Sequence, residues 1–169
     1  LGRTNIEVPV LGIGGIPLQR PAEDEALEVV CAAVDIGIKL IDTARGYGDS
    51  ETIIGKALAR NRPSDVAVCT KSPKPDGESM RAEIETSLSN LGVECIDLYQ
   101  CHSVRDQEQL DQILGPGGAL EALRKAQDEG LVKHVGMTSH RFDAMRAAIE
   151  TGEFETIMAQ YSFMDTDAA

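Results

Sequence analysis

The sequence lacks the features that would send it to a membrane or to the secretory pathway. Although 42% of its residues are hydrophobic, no stretch approaches the roughly 20 uninterrupted apolar residues of a transmembrane helix. The first residues, LGRTNIEVPV, have neither the basic start nor the apolar run of a secretory signal. Since the chain opens on Leu1 rather than on methionine, we expect some N-terminal sequence to have been removed or left out.

Positive charge is scarce as well. The chain has 16 lysines and arginines against 28 aspartates and glutamates, which gives a formal net charge of −12. Such a surface repels phosphate backbones and anionic membranes, so we expect neither nucleic acid nor a membrane as a partner. The charge is typical of a solvated surface that keeps a protein dispersed.

None of the four cysteines forms a C-x-x-C pair. This spacing argues against a disulfide framework or a zinc module and favours reduced, mostly buried thiols in a cytoplasmic protein. Cys69, Cys101 and His102 are candidate metal ligands, but strand alternation turns Cys101 away from the other two. We therefore expect no metal site.

The sequence does contain a repeated unit of amphipathic helix, glycine and short apolar strand. Five helices are predicted: about 23–36, one that Ser50 would cap, one carrying the stripe from Met80 to Leu91, about 119–129 and about 141–150. Glycines at 37, 92, 130 and 152 suit the left-handed residue that ends a helix. Six strands are predicted at 8–13, 38–42, 66–71, 96–102, 133–138 and 156–161.

Strands that alternate with helices predict parallel pairing with right-handed crossovers. A doubly wound sheet and a β/α barrel both satisfy this pattern, and periodicity alone does not choose between them. The segment LGIGGIP at 11–17 lacks the third glycine of the dinucleotide-binding turn G-x-G-x-x-G. Any nucleotide must therefore bind in another way.

Polar side chains follow the predicted strands at their carboxyl ends, where active sites of parallel β/α folds lie. In chain order they are Asp42, Tyr47, Lys71, His102, Ser139 and Gln160. Each has an ordinary explanation when taken alone, because Asp42 and Ser139 can cap turns and the others can be packing or strand residues. Their joint position after successive strands predicts a catalytic site.

The residue types favour proton transfer. Lys71 should point inward, and a buried ammonium needs an anion, for which Asp42 on the neighbouring strand is the expected partner. The pKa of a tyrosine is about 10, and lowering it toward neutrality requires that the phenolate be stabilised by about 4 kcal/mol. A nearby ammonium can supply a stabilisation of that order. We predict that Lys71 lowers the pKa of Tyr47, that Tyr47 protonates a carbonyl oxygen, and that His102 orients this oxygen.

These motifs resemble those of the aldo-keto reductase family. LIDTA at 40–44 with Tyr47-Gly48 resembles the strand-two motif that carries the catalytic aspartate and tyrosine, and Thr70-Lys71 resembles the catalytic lysine. DLYQCH at 97–102 resembles the strand-four motif that ends in the catalytic histidine. Residues 1–4 are similar to the start of an N-terminal hairpin across the bottom of the barrel.

The resemblance implies a (β/α)8 TIM-type barrel, here a single C-terminally truncated domain over residues 1–169 that lacks two strands. It implies NADPH as cofactor, with NADH as the alternative. Asp42 would lie near the nicotinamide ribose, and Ser139, His140 and Gln160 near the carboxamide, although the family's usual residue after the serine is asparagine. Residues 16–20 and 114–120 are similar to a branch that often carries a C-terminal iron–sulfur segment.

The sequence therefore predicts an oxidoreductase that reduces a small aldehyde or ketone to an alcohol. Two alternatives stay open: a catalytically weak, reductase-like binding or regulatory subunit, and an inactive barrel fragment. Substrate identity, the choice between NADPH and NADH, and oligomeric state are open as well.

Overall fold

A computed structural model describes residues 1–60, 63, 65–162 and 164. The predicted domain, 1–169, includes further positions, among them 167–169, that lie outside the described residues. The strands are β1 (Ile13–Gly14), β2 (Leu40–Asp42), β3 (Ala67–Ser72), β4 (Ile96–Cys101), β5 (Val132–Thr138) and β6 (Thr156–Met158). The helices are α1 (Glu23–Asp35), α2 (Ser50–Arg60), α3 (Gly77–Leu91), α4 (Gln107–Leu114), α5 (Ala119–Asp128) and α6 (Phe142–Thr151), with a short 3-10 helix at Ile16–Gln19.

Strand order decides between the two predicted architectures. The described strands form one sheet in the order β1-β2-β3-β4-β5-β6, and every neighbouring pair is parallel. A doubly wound sheet reverses its direction of growth at a switch point, whereas a β/α barrel adds each strand beside the previous one. The sheet is therefore an open arc of a TIM-type barrel with helices on its outer side, as predicted.

Strand alternation separates an inner from an outer face. In β3, Val68 belongs to the apolar cluster that includes the helices, while Cys69 lies on the inner face. The register places Cys69 between Asp42 of β2 and Leu98 of β4, which also face inward. Cys101 lies in the outer cluster, as alternation predicted. The polar inner residues are thus carried to the carboxyl end of the arc, while the core lies between sheet and helices.

The helix ends follow local chemistry. Asp76 and Asp106 precede α3 and α4, and their carboxylates accept from the backbone N–H of Ser79 and Gln109 at 2.8 and 2.9 Å. Gly92 ends α3 with φ of 64°, as its spacing predicted. None of the described helices is both long and apolar enough to cross a membrane.

Two predictions about helices are wrong. The described part of the chain has six α-helices rather than five, because α4 was missed: only Leu110 and Ile113 of its eight residues are buried, which is too short a stripe to be recognised. Ser50 is the first residue of α2 and not its cap. Its hydroxyl is buried and lies 2.8 Å from the hydroxyl of Thr43, which ties the helix to the end of β2.

The N-terminal segment also differs from expectation. β1 is Ile13–Gly14 rather than 8–13, and residues 1–4 form a turn and not a hairpin strand. Thr4 N–H donates to the Leu1 carbonyl at 3.1 Å, and Arg3 N–H donates to Glu155 at 2.9 Å. The segment is therefore held by the turn that precedes β6 rather than by a partner strand of its own.

The contact between α2 and α3 provides a test of the fold. A Cβ atom added at Gly55 would lie 2.4 Å from the Asn90 carbonyl oxygen and 2.8 Å from the Leu91 carbonyl carbon. Gly55→Ala should therefore lower the free energy of unfolding by about 1–3 kcal/mol, as overpacking does. Helix propensity alone predicts a gain of about 1 kcal/mol from the same change.

The measurement is urea unfolding followed by circular dichroism. Gly46→Ala is the matched control, since an added Cβ there has no atom within 4 Å, and its midpoint should stay close to that of wild type. A Gly55→Ala variant that is as stable as wild type would contradict this close packing of the two helices.

Candidate active site

The carboxyl ends of β2, β3 and β4 bring the predicted side chains together. Asp42 is the last residue of β2, Lys71 is the last but one of β3, and His102 directly follows β4. A pocket of about 180 Å³ opens at this edge. Its lining contains all seven residues singled out in the sequence, namely Asp42, Tyr47, Lys71, His102, Ser139, His140 and Gln160.

An ion pair anchors the site. Lys71 is 2% exposed, and its Nζ donates to Asp42 Oδ2 at 2.5 Å and to the Thr43 carbonyl at 2.7 Å. Burial raises the pKa of Asp42, and the charge and hydrogen bond of Lys71 oppose this rise. Two of the three ammonium protons thus have acceptors among the described residues, which leaves one for a ligand or for water.

Tyr47 lies beside this ammonium. Lys71 Nζ is 5.1 Å from the centroid of the Tyr47 ring, which also makes an edge contact with His102 at a centroid distance of 5.7 Å and an interplanar angle of 85°. The prediction that Lys71 lowers the pKa of Tyr47 is wrong for this arrangement. Burial raises that pKa, and the negative charge of Asp42 raises it further. The physical reasons are the burial of the phenol, which is the larger effect, and the nearby carboxylate of Asp42, to which Lys71 donates.

His102 is held as a neutral imidazole. Burial above all, and then the positive charge of Lys71 and the proximity of His140, lower the pKa of His102 to about 4. Its backbone N–H donates to the Ser72 carbonyl at 2.9 Å, which continues the pairing of β3 with β4. The next residue, Ser103, has φ of 54°, and its N–H donates to Thr138 Oγ1 at 2.9 Å. This contact fixes the turn that follows the histidine.

The predicted carboxamide residues lie across the pocket, after β5 and β6. Ser139 Oγ donates to the Val104 carbonyl at 2.6 Å and accepts from the Arg141 N–H at 2.9 Å, so its hydroxyl has the local turn role that the sequence left open. It keeps one lone pair for a further donor. His140 Nδ1 lies 3.2 Å from Gln160 Oε1. The amide nitrogen of Gln160 has no hydrogen-bond partner among the described residues.

Sequence reasoning missed Gln100. Its register partner is Lys71, its side chain is 0% exposed, and its Nε2 lies 3.5 Å from Asp42 Oδ1 in a long hydrogen bond. Its Oε1 is buried without a partner in the part of the chain that the structure covers. Strand alternation places Gln100 on the same face as His102, two residues earlier, and this spacing is the signal that identifies it.

Known proteins resemble the chain in sequence. The profile of the Aldo/keto reductase family matches residues 10–168. The NADH-specific methylglyoxal reductase of Escherichia coli (strain K12) is 29% identical over 195 residues, an alignment that covers 98% of this chain and 59% of that protein. The L-galactose dehydrogenase of Arabidopsis thaliana is 34% identical over 157 residues, covering 85% of this chain and 48% of that protein.

Solved structures agree with the sequence comparison. An aldo-keto reductase from Bacillus halodurans, in its holo form, superposes with a TM-score of 0.84 at 27% identity, covering 96% of this chain and 56% of that chain. The chain thus spans 48% to 59% of the length of these three relatives. Because the family profile matches nearly every residue, the resemblance first drawn from the strand-end motifs is confirmed, and the chain belongs to the aldo/keto reductase family.

Proposed function

We propose that this chain carries the catalytic residues of a nicotinamide-dependent reductase that converts aldehydes or ketones to alcohols. The observation that carries the proposal is the strand-end pocket, in which Tyr47, His102 and the Lys71–Asp42 pair are neighbours. A carbonyl oxygen in this pocket has a phenol, a neutral imidazole and a free ammonium proton within the same small volume. Family membership supports a carbonyl-reducing oxidoreductase.

Tyr47 is the proton donor in this proposal. His102, with a pKa of about 4, is neutral at pH 7 and can hold the carbonyl oxygen through its N–H, but the N–H of a neutral imidazole is too weak an acid to release its proton. Tyr47 has a raised pKa and is therefore fully protonated at the same pH. Reduction converts the carbonyl oxygen into an alkoxide, which is a far stronger base than a phenolate. The proton can therefore pass from the phenol without prior acidification.

Lys71 then acts on the product of that transfer. A phenolate at Tyr47 would lie beside the buried ammonium, whose charge stabilises it as it develops. Asp42 keeps the ammonium on the inner face, and its own negative charge weakens this stabilisation. The phenolate is thus short-lived, and Tyr47 takes up a proton again before the next turnover.

The cofactor of the proposal is NADPH, with NADH as the alternative. The carboxamide of a nicotinamide both donates and accepts hydrogen bonds. Complementary groups lie in the pocket: the free amide nitrogen of Gln160, the remaining lone pair of Ser139 and the imidazole of His140. Asp42 Oδ1, which Lys71 does not use, suits a ribose hydroxyl. When bound, the reduced nicotinamide supplies the hydride. NADH is retained because the relative from Escherichia coli is named as NADH-specific.

The proposed substrate class is small carbonyl compounds, since two relatives are named for methylglyoxal and L-galactose.

A cytoplasmic location is part of the proposal as well, because all four cysteines are free thiols and a reducing compartment keeps them so. The alternative function, a reductase-like binding or regulatory subunit or an inactive fragment, predicts negligible turnover and is separated from the proposal by the following experiment.

Tyr47→Phe should lower kcat by about 100-fold or more, because phenylalanine keeps the ring but has no proton to give. The measurement is the oxidation of NADPH and of NADH by the full chain, with methylglyoxal and a panel of aldehydes and ketones. Tyr161→Phe makes the same chemical change at a side chain that is 62% exposed and should leave the rate unchanged. Wild-type rates no higher than those of Tyr47→Phe would favour the alternative function.

His102 should bind a proton only when the pH falls to about 4. Because the ordinary value is about 6.5, the unfolded chain takes up a proton between pH 6.5 and about 4 that the folded chain excludes. The free energy of unfolding therefore decreases as the pH falls through this window. The decrease should be smaller in His102→Asn than in wild type, because asparagine binds no proton. Urea midpoints across these pH values measure the difference.

An NMR titration measures the same group directly. The imidazole signal that disappears in His102→Asn should titrate with a midpoint near 4. A midpoint near 6.5 would mean that His102 is partly charged at neutral pH, and Tyr47 would then not be the preferred proton donor.

A further inference from the structure

A buried carboxylate outside the pocket contacts the loop that carries Tyr47. Glu51 lies in the first turn of α2 and is 1% exposed. Four side chains donate to its two oxygens: Thr70 and Ser87 to Oε1, each at 2.7 Å, and Arg45 and Asn90 to Oε2 at 2.6 and 3.1 Å. These donors come from β3, from α3 and from the loop itself. One carboxylate thus joins three parts of the barrel.

A buried ion pair of this kind needs a reason beyond stability. Apolar side chains of similar volume are often as good at a buried position, or better, because removing two charges from water is costly. The full hydrogen bonding of Glu51 keeps that cost low but does not account for a charge at this place. Among the described residues, the one guanidinium that donates to Glu51 belongs to Arg45, two residues before Tyr47, so the charge of Glu51 holds the loop that carries Tyr47.

Arg45 is held at its backbone and at its side chain. Its N–H donates to the Lys71 carbonyl at 3.0 Å, while its guanidinium contacts Glu51 through Nη1 at 2.6 Å and Glu83 through Nε at 3.1 Å. Glu51 in turn accepts from Thr70, the residue before Lys71. The Glu51 side chain therefore contacts both the strand that carries the ammonium, through Thr70, and the loop that carries the phenol, through Arg45, whose backbone is bound to the same strand.

We infer that Glu51 and Arg45 are positioning residues, whose ion pair sets the distance between the Tyr47 phenol and the Lys71 ammonium. The inference rests on the proposed function, because a fixed distance between these groups matters only if a proton leaves Tyr47 beside Lys71. Gly46 and Gly48 flank Tyr47, and Gly48 has φ of 52°, so the loop gains little stiffness from its own sequence. The Glu51–Arg45 pair supplies the restraint from outside.

Glu51→Gln tests the pair with almost no change in volume. Its carbonyl oxygen can still accept from Thr70 and Ser87, but its amide cannot balance the Arg45 guanidinium. We expect kcat to fall by about tenfold or more, as displaced reacting groups do, with KM for the aldehyde within about twofold of wild type. Hydrogen–deuterium exchange of the amides at 43–48 should quicken, while exchange in β4 stays unchanged.

Two matched variants accompany it. Glu85→Gln makes the same change at an exposed carboxylate of α3, paired with Arg81 on the surface, and should alter neither kcat nor loop exchange. Arg45→Lys keeps the positive charge but loses the two-sided guanidinium contact, so its kcat should lie between those of wild type and Arg45→Gln. This graded series also decides the matter if Glu51→Gln fails to fold.

A purely structural role predicts a different set of results. The folded fraction of each variant, measured by circular dichroism, would then account for its whole loss of activity, and KM and kcat per folded molecule would not change. That result, or a Glu51→Gln kcat within about twofold of wild type, overturns the inference. If wild type itself shows no reductase activity, the proposed function fails, and unchanged exchange at 43–48 in Glu51→Gln then overturns the inference independently.

Discussion

The ion pair between Lys71 and Asp42 is the interaction on which the rest of the site depends. A lysine that is 2% exposed is tolerated only where its protons have acceptors, and Asp42 and the Thr43 carbonyl supply them at the end of the neighbouring strand. The parallel register makes this contact, because Asp42 lies opposite Cys69, two residues before Lys71 on the same face. The pair thereby places a charged group at the carboxyl edge of the sheet, where the pocket opens.

Burial and the same pair together set the protonation states around it. Burial raises the pKa of Tyr47 and the negative charge of Asp42 adds to the rise, while burial lowers the pKa of His102 and the positive charge of Lys71 adds to the fall. A phenol that keeps its proton and an imidazole that remains neutral are both hydrogen-bond donors at neutral pH. In the proposed reaction, both donors would face the carbonyl oxygen on which negative charge develops, an arrangement that stabilises such a transition state.

Particular residues show how far the sequence could be interpreted. Alternation along β3 predicted that Lys71 and Cys69 face inward, and glycine spacing predicted the end of α3 at Gly92, because both signals are local. Glu51 carries no such signal, since an acidic residue in the first turn of a helix is normally a favourable surface residue. Glu51 is buried because the fold brings it against Ser87 and Thr70, which donate hydrogen bonds to it and are 36 and 19 residues away in the chain. The pKa of Tyr47 was predicted in the wrong direction for a similar reason, because its burial depends on distant parts of the chain, and because Asp42, correctly expected to pair with Lys71, also acts on the phenol.

The sequence by itself determined the alternation of strands with five of the helices, the residues that follow each strand, and the family, because the periods of two and 3.6 residues and the strand-end motifs involve neighbours along the chain. The tertiary structure decided the barrel order of the strands over a doubly wound sheet, the direction of the pKa shift of Tyr47, and the tether from Glu51 to Arg45. These depend on register between strands and on packing between helices, which bring together atoms from distant parts of the chain. Side-chain identity alone does not set those distances.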